Sequence, residues 1–141
     1  MIWDASESDL PEILRMAELF ANESGIDVPF DSISSEFTAR QLMDDGLLLV
    51  GEGGMIGGLA YPHFFNAQVI IAQEIFWWVD IEHRGSRLGL RLFEGFESWA
   101  RDLGAKHVTM IALASQKPVH NLYLRKGYRE MESSYVRELW Q

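Results

Sequence analysis

Val79-Asp80-Ile81-Glu82-His83-Arg84-Gly85-Ser86-Arg87-Leu88-Gly89 is the stretch of the chain that decides its fold. The largely apolar residues 70–81 lead into it and predict a strand that is buried on both faces. Apolar residues after it recur at helical spacing and predict a long amphipathic helix that ends at Gly104. These apolar residues are Leu88, Leu92, Phe93, Phe96, Trp99, Ala100 and Leu103. The stretch is therefore predicted to be a turn from a strand into a helix.

The residues before residue 70 predict two helices and a pair of strands. The helices are expected over about 8–22 and 34–43. Strands 47–52 and 55–65 flank two glycines that suit a hairpin turn. Gly57 and Gly58 lie inside the second strand and indicate a bulge or a close backbone approach.

The residues after Gly104 complete one domain. They predict a strand over 107–114, a short helix over 118–126 and two last strands over 128–132 and 135–139. The element order is β(α)αβββαβαββ, which is a mixed α/β domain (α+β, with a mixed sheet) containing one strand-helix-strand crossover. A chain of 141 residues fits a single domain over 1–141.

Composition narrows the function classes. The formal net charge of −9 disfavours nucleic acid and anionic membranes as partners. No cysteine is present, which excludes disulfides and cysteine nucleophiles. The N-terminus lacks the pattern of a signal peptide, and no apolar run approaches the roughly 20 residues that cross a bilayer. We therefore expect a soluble, cytoplasmic protein.

The turn at 84–89 has the properties of an anion site. A helix start leaves backbone N–H groups unpaired, and the helix dipole adds partial positive charge there. Arg84 and Arg87 add full charges. The Walker A pattern and the dinucleotide pattern G-x-G-x-x-G both fail, because glycines stand only at 85 and 89. The alternative is that Gly85 only permits a tight turn and that the arginines are solvated.

Two segments resemble motifs of the GNAT acetyltransferases. Residues 79–92 resemble motif A, with Arg84 opening the motif, Gly89 closing it and Arg87 in place of the usual middle glycine. Residues 121–128, Asn-Leu-Tyr-Leu-Arg-Lys-Gly-Tyr, resemble the family's Leu-Tyr-x-Lys-x-Gly-Phe segment, with the lysine displaced by one position. The resemblance implies the GNAT acyl-CoA N-acyltransferase fold, acetyl-CoA as co-substrate and direct acetyl transfer to a primary amine of a small molecule or a protein.

The resemblance also implies site residues. Tyr123 matches the tyrosine that donates a proton to the departing thiolate, and Glu74 lies where some members carry the glutamate that deprotonates the amine. The alternatives are structural roles: Tyr123 would be a packed aromatic residue, and Glu74 would be an edge-facing or salt-bridged carboxylate. The residues expected to bind the cofactor are Val79, Ile81, Arg84, Gly85, Ser86, Arg87, Leu88, Gly89, Asn121 and Tyr123. For Asn121 the alternative is an exposed polar residue that lines no cleft.

Other polar residues are candidates for the acceptor side. Strand alternation predicts that Asp80 shares a face with Glu74, Phe76 and Trp78. There Asp80 would either help to hold a cationic acceptor or only sit where the strand splays. Tyr61 and His63 are candidates for lining the acceptor pocket. His83 and His120 are rival bases, because a histidine titrates near neutral pH. No two histidines have helical i, i+4 spacing, so no metal is predicted.

Two further functions stay open at this point. One is a catalytically inactive acyl-CoA-binding or sensing module, and the other is a nucleotide-binding domain unrelated to CoA. The expected partner is an amine-bearing small molecule or peptide, and a homodimer is left open. We interpret Phe64, Phe65, Trp77 and Trp78 as core or dimer-surface residues.

Overall fold

The fold is a five-stranded sheet whose strands lie side by side in sequence order. A computed structural model describes residues 1–140 of the chain. The first four strands are antiparallel neighbours, and the last pair is parallel. The strands are β1 (Ile2–Asp4), β2 (Leu47–Gly51), β3 (Gly54–His63), β4 (Asn66–Val79) and β5 (His107–Thr109). The mixed α/β fold class predicted from the sequence is confirmed.

Four helices accompany the sheet. They are α1 (Leu10–Ser24), α2 (Ser32–Asp45), α3 (Leu88–Asp102) and α4 (Lys117–Arg125). Asp31 caps α2, because its carboxylate accepts the N–H of Ser34 at 2.8 Å. Helix α3 connects β4 to the parallel β5 and is the predicted crossover. Within residues 1–140, no helix is long and apolar enough to span a bilayer.

The sheet separates two apolar cores. Neighbouring residues of β2 alternate between them, with Leu48 and Val50 in one core and Leu47 and Leu49 in the other. The first core packs against α1 and α2 and includes Ile13, Met16, Ala39, Leu42, Met55 and Trp78. The second core packs against α3 and includes Ile56, Ala72, Leu92, Phe96 and Ala100. Helices α1, α2 and α3 are therefore held by burial of an apolar face against the sheet.

A β-bulge interrupts the β3–β4 ladder. Gly57 pairs with Phe76 and Gly58 pairs with Glu74, so that Ile75 is an extra, unpaired residue of β4. The bulge that the two glycines predicted is thus confirmed.

The close backbone approach, which was the alternative to the bulge, is also present at Gly58. A Cβ on Gly58 would collide with the ring of Phe96 and lie 2.5 Å from the carbonyl oxygen of Gln73. Only glycine fits there without moving α3 away from the sheet.

The bulge changes which face of the sheet Glu74 occupies. Phe76 and Trp78 pack with the core beneath α1 and α2. Ala72 packs with the core beneath α3, and alternation places Glu74 on that same face. The prediction that Glu74 shares a face with Phe76, Trp78 and Asp80 was wrong, because the extra residue shifts the alternation by one.

The C-terminal strands differ from the prediction. Strand β5 ends at Thr109 rather than at 114, and no strand forms over 128–132 or 135–139. The last β4–β5 pair is Gln73 with Thr109, and beyond it the two chains part. A strand needs a hydrogen-bonded neighbouring strand as well as favourable residues, and among the described residues no strand pairs with 128–139.

Candidate active site

The turn before α3 is shaped by Gly85. Its φ of +91° lies in the region that favours glycine, and a Cβ at this position would meet no atom within 4 Å. The turn is thus open toward solvent, with space beside the backbone for a ligand. Ser86 stabilises it by donating its hydroxyl to the carbonyl of His83 at 2.6 Å and accepting the N–H of Leu88 at 3.3 Å.

Free backbone donors cluster at the start of α3. Among the described residues, none accepts a hydrogen bond from the N–H of Arg87, Gly89 or Leu90. The guanidinium of Arg87 is exposed beside them. Unpaired amides at the positive end of a helix dipole bind anions, and phosphate groups in particular.

Arg84 does not point its side chain at this cluster. Its Nε donates to the carbonyl of Val79 at 2.8 Å, and its Nη2 donates to Glu23 of α1 at 3.0 Å. The guanidinium carbon lies 4.7 Å from the ring centre of Trp78. Arg84 therefore ties the turn to the end of β4 and to α1, and its own N–H donates to the carbonyl of Ile81 at 3.2 Å.

Glu74 is a buried carboxylate where β4 and β5 separate. It follows Gln73, the last β4 residue that pairs with β5, and is 1% exposed. Its Oε1 accepts the N–H of Ile111 at 3.3 Å. Burial raises the pKa of Glu74 to about 8, against the opposing effect of the Ile111 N–H and of the nearby Tyr123 hydroxyl. The edge-facing and salt-bridged alternatives do not hold, because the side chain is buried and no ion pair reaches it within residues 1–140.

Tyr123 meets Glu74 on the same peptide. Its hydroxyl donates to the carbonyl of Ile111 at 2.7 Å, while the N–H of Ile111 holds Glu74. Burial and the nearby Glu74 carboxylate raise the pKa of Tyr123, so that the phenol keeps its proton. The ring packs against those of Trp77 and Phe93, with centroids 6.3 and 6.2 Å away. Helix α4 thus brings a proton donor beside a carboxylate that is 49 residues away in sequence.

Asp80 is part of an internal ion pair. Its carboxylate accepts hydrogen bonds from Arg15 of α1 at 2.7 Å and from the indole of Trp78 at 2.8 Å. Burial opposes its ionisation, but these hydrogen bonds outweigh burial and hold the pKa of Asp80 below its usual range. Both carboxylate oxygens are taken, so Asp80 fixes the end of β4 to α1.

The two acceptor-side candidates on β3 lie apart from Glu74 and Tyr123. Tyr61 donates its hydroxyl to Gln73 at 2.7 Å, and Gln73 neighbours Glu74 on β4 but faces the opposite side of the sheet. His63 lies at the tip of the β3–β4 hairpin, where its Nδ1 accepts the N–H of Phe65 at 2.9 Å. Neither side chain hydrogen-bonds to Glu74 or Tyr123.

The rival bases also have other partners. His83 packs over Gly53, and His120 shares a hydrogen bond with the carbonyl of Leu113 at 3.0 Å. Asn121 is an exposed residue of α4. Among the described residues, none of these three side chains forms a hydrogen bond with Glu74 or Tyr123.

Sequence reasoning missed the residue that joins this site, Ile111. It acts through its peptide N–H and C=O, which every residue type except proline offers, so no sequence signal marks it. Sequence reasoning also placed Trp77 only as a core or dimer-surface residue. The indole Nε1 of Trp77 is buried without a partner among the described residues, and its ring lies beside Gly89 at the start of α3.

Comparisons with known proteins identify the family and the fold. Residues 13–128 match the profile of the Acetyltransferase (GNAT) family. The fold is similar to a transcriptional regulator from Bacillus halodurans C-125, with TM-score 0.80, 17% identity and 99% of both chains covered. It is also similar to a ribosomal-protein-alanine N-acetyltransferase from Brucella melitensis biovar Abortus 2308, with TM-score 0.74, 18% identity and 99% of both chains covered.

A third similar structure is a predicted acetyltransferase with acetyl-CoA from Clostridium acetobutylicum. Its TM-score is 0.78 and its identity 11%, covering 99% of this chain and 96% of the other. At such identities these three likenesses establish a shared fold. No curated protein sequence matches the chain.

Proposed function

Because this chain belongs to the acetyltransferase (GNAT) family, we propose that it transfers an acetyl group from acetyl-CoA directly to a primary amine. The observation that carries the proposal is the meeting of Glu74 and Tyr123 on the peptide of Ile111. A carboxylate with a raised pKa and a phenol that keeps its proton are the base and the donor that amide formation needs.

The turn at the start of α3 is the proposed site for the pyrophosphate of acetyl-CoA. The free amides of Arg87, Gly89 and Leu90 supply the donors, and the exposed Arg87 guanidinium supplies positive charge. The open space beside Gly85 leaves the phosphates unobstructed. Ser86 and Leu88 shape this turn through their mutual hydrogen bond.

The pantetheine arm is proposed to follow the end of β4, where Val79 and Ile81 offer backbone groups. From there the direction of β4 leads back toward Glu74 and Tyr123. Asn121, exposed on α4 two residues before Tyr123, is proposed to line the same cleft. Acetyl-CoA brings the acetyl group and a thiolate that can leave.

Glu74 is the proposed general base. The amine nitrogen forms a bond to the acetyl carbonyl carbon, and the proton it loses passes to the Glu74 carboxylate. A pKa of about 8 suits this task, because the base is then strong enough to take a proton yet partly ionised at neutral pH.

Tyr123 is the proposed donor to the leaving sulfur. As the carbon–sulfur bond breaks, its hydroxyl turns from the Ile111 carbonyl and gives its hydrogen to the thiolate. Its raised pKa makes a lasting phenolate unfavourable, so the proton is replaced from the adjacent Glu74. The sum is amine plus acetyl-CoA giving amide plus CoA thiol.

The choice of an amine as the acceptor rests on a protein with the same fold and on the charge of this chain. One protein with this fold is a ribosomal-protein-alanine N-acetyltransferase, which by that description acts on an amine. The net charge of −9 favours a cationic acceptor over an anionic one.

A second candidate is a catalytically inactive module that binds acyl-CoA. One observation favours it: a transcriptional regulator shares the fold over 99% of both chains. Such a module would use the turn at the start of α3 in the same way and leave Glu74 and Tyr123 without a chemical role.

The test measures thiol release from acetyl-CoA over a panel of peptide N-termini, polyamines, aminoglycosides and aromatic amines. Glu74→Gln and Tyr123→Phe are expected to lower kcat/KM by about 10²-fold. The chain offers a matched control, since Tyr128 donates to Glu97 at 2.8 Å in a second tyrosine–glutamate pair. Glu97→Gln and Tyr128→Phe should keep the wild-type rate.

Calorimetry on the same proteins separates the candidates. Binding of acetyl-CoA without turnover of any amine would favour the inactive module. Equal rates in the Glu74 and Tyr123 variants and the wild type would refute both catalytic assignments, and preference for ATP over CoA would refute the cofactor.

A further inference from the structure

Two ion pairs fasten helix α1 to the end of β4 and the residues that follow it. Arg15 donates to the carboxylate of Asp80 at 2.7 Å, and Glu23 accepts from Arg84 at 3.0 Å. Arg15 and Glu23 are eight residues apart, so their backbones lie about 12 Å apart along the helix. Helix α1 thus holds the segment at two separate points.

The order of the charges fixes how the segment lies on α1. Along α1 the basic residue comes first and the acidic residue second, whereas on the facing segment the acidic Asp80 precedes the basic Arg84. An exchange of partners would place like charges against each other, which is unfavourable. Phe20 of α1 adds an apolar contact, because it stacks on Trp78 with ring centroids 5.5 Å apart. The backbone at 80–84 is therefore held in one position on α1.

A chain of hydrogen bonds carries this position to the start of α3. The carbonyl of Asp80 accepts the N–H of His83 at 2.9 Å. The carbonyl of His83 accepts both the N–H and the hydroxyl of Ser86, and that hydroxyl accepts the N–H of Leu88. Each bond joins residues two or three apart, so the placement of Asp80 decides where the backbone enters the helix. The unpaired amides at the start of α3 adjoin the last of these bonds.

We propose that α1 sets the affinity of this turn for the phosphate groups of acetyl-CoA, with Arg15 and Glu23 as positioning residues. Among the described residues, neither side chain hydrogen-bonds to residues 85–90. Amides bind an anion more tightly when they are already oriented, because binding then bears no cost of ordering them. The identity of the ligand rests on the proposed function, whereas the control of the turn by α1 does not.

The opposite charges of the two residues separate positioning from a direct electrostatic effect. Loss of the negative charge of Glu23 would, through electrostatics alone, favour an anionic ligand and lower its Kd. Loss of positioning raises the Kd instead, because Arg84 is released from α1. Glu23→Gln is therefore the decisive variant. Its ion pair is half-exposed and contributes little to stability, so the variant should fold.

Calorimetry with CoA measures the effect. Glu23→Gln and Arg15→Gln should each raise the Kd for CoA by about 3- to 10-fold, although they remove opposite charges. Glu36→Gln is the matched control for the first variant, because Glu36 pairs with an arginine of α2, also at 3.0 Å and also half-exposed. Glu12→Gln is the control for the second, because it removes the other partner of Arg15 and leaves Asp80 in place. Both controls should keep the wild-type Kd.

A double variant shows whether Glu23 acts through Arg84. In the Arg84→Gln protein, Glu23→Gln should cause no further rise in the Kd for CoA, because the contact through which it acts is already lost. A full additional rise in the double variant would overturn the proposal. So would a Kd for Glu23→Gln that equals the wild-type value or falls below it.

Hydrogen exchange of the free protein tests the positioning without a ligand. The amides of His83, Ser86 and Leu88 form the chain of hydrogen bonds, so they should exchange faster in Glu23→Gln than in the wild type and in Glu36→Gln. A wild type that does not bind CoA would refute the proposed cofactor and leave this measurement valid. Unchanged exchange at all three amides would overturn the control of the turn by α1.

Discussion

At the scale of single residues, Glu74 is the residue whose ionisation matters most to the proposed reaction. It is almost fully buried and is held by one backbone N–H rather than by a cation. Desolvation therefore dominates its ionisation, and its pKa rises to about 8. Two measurements follow from that shift.

The first measurement is the pH dependence of the rate. If Glu74 must be ionised to accept a proton, kcat/KM should rise with pH up to about 8 and level off above it. The amine acceptor also titrates, but its ionisation contributes equally to the wild type and to Glu74→Gln. The ratio of the two kcat/KM values should therefore isolate the Glu74 titration. A ratio that stays constant from pH 6 to 9 would remove Glu74 as the base.

The second measurement is the pH dependence of stability. The folded pKa of Glu74 is raised above that of the unfolded chain, so between pH 4.5 and about 8 the unfolded state loses a proton that the folded state keeps. Stability should fall as pH rises through this window, by up to roughly 4 kcal/mol. Urea unfolding at pH 5 and pH 8 should show that decrease in the wild type and a smaller one in Glu74→Gln. Parallel decreases in both proteins would mean that Glu74 is not the cause.

At the scale of elements, α3 has glycines of the same backbone type at its two ends. Gly85 before it and Gly104 after it have φ values of +91° and +77°, and a Cβ at either would meet no atom within 4 Å. Each substitution by alanine should cost about 1 kcal/mol of stability through backbone strain. Only the N-terminal glycine adjoins the free amides, so only there should strain disturb anion binding.

That difference predicts separable effects on the cofactor. Gly85→Ala should raise the Kd for acetyl-CoA several-fold, because it biases the turn away from the conformation that presents those amides. Gly104→Ala should leave the Kd unchanged at a similar loss of stability. Calorimetry on both variants, beside their thermal unfolding, checks this; an equal change in Kd would show that the turn has no direct part in binding.

At the scale of the whole molecule, one sheet is shared by two cores. Met16 of α1 and Phe96 of α3 are fully buried on opposite sides of it. A single domain should unfold as one unit even though its cores are separate.

Variants in the two cores test whether the chain unfolds as one unit. Met16→Ala should lower stability by about 2–5 kcal/mol and Phe96→Ala by about 3–5 kcal/mol, with near-additive effects in the double variant because the sites do not touch. Far- and near-ultraviolet circular dichroism should show one coincident transition for each single variant. Two transitions, with one core lost first, would divide the chain into separately folding parts.

The predictions from sequence agree with the structure where the interactions involved join residues that are close in sequence. The β4–turn–α3 unit was predictable because its apolar spacing, its glycine and its helix termination all act within a few residues. The bulge was predictable from the paired glycines at 57 and 58, but its effect on the facing of Glu74 was not. One inserted residue reverses alternation, and only the pairing with β3 shows where the insertion lies.

The sequence by itself determined the mixed α/β class and the crossover through α3, because local periodicity suffices for these. Its resemblance to family motifs named Glu74 and Tyr123 as candidates. Only the tertiary structure decided that the two candidates meet on the Ile111 peptide, that Asp80 and Arg84 serve internal contacts, and that the last segment stays unpaired. Burial, ion pairing and strand pairing join residues far apart in sequence, and no local pattern records which distant group each will find.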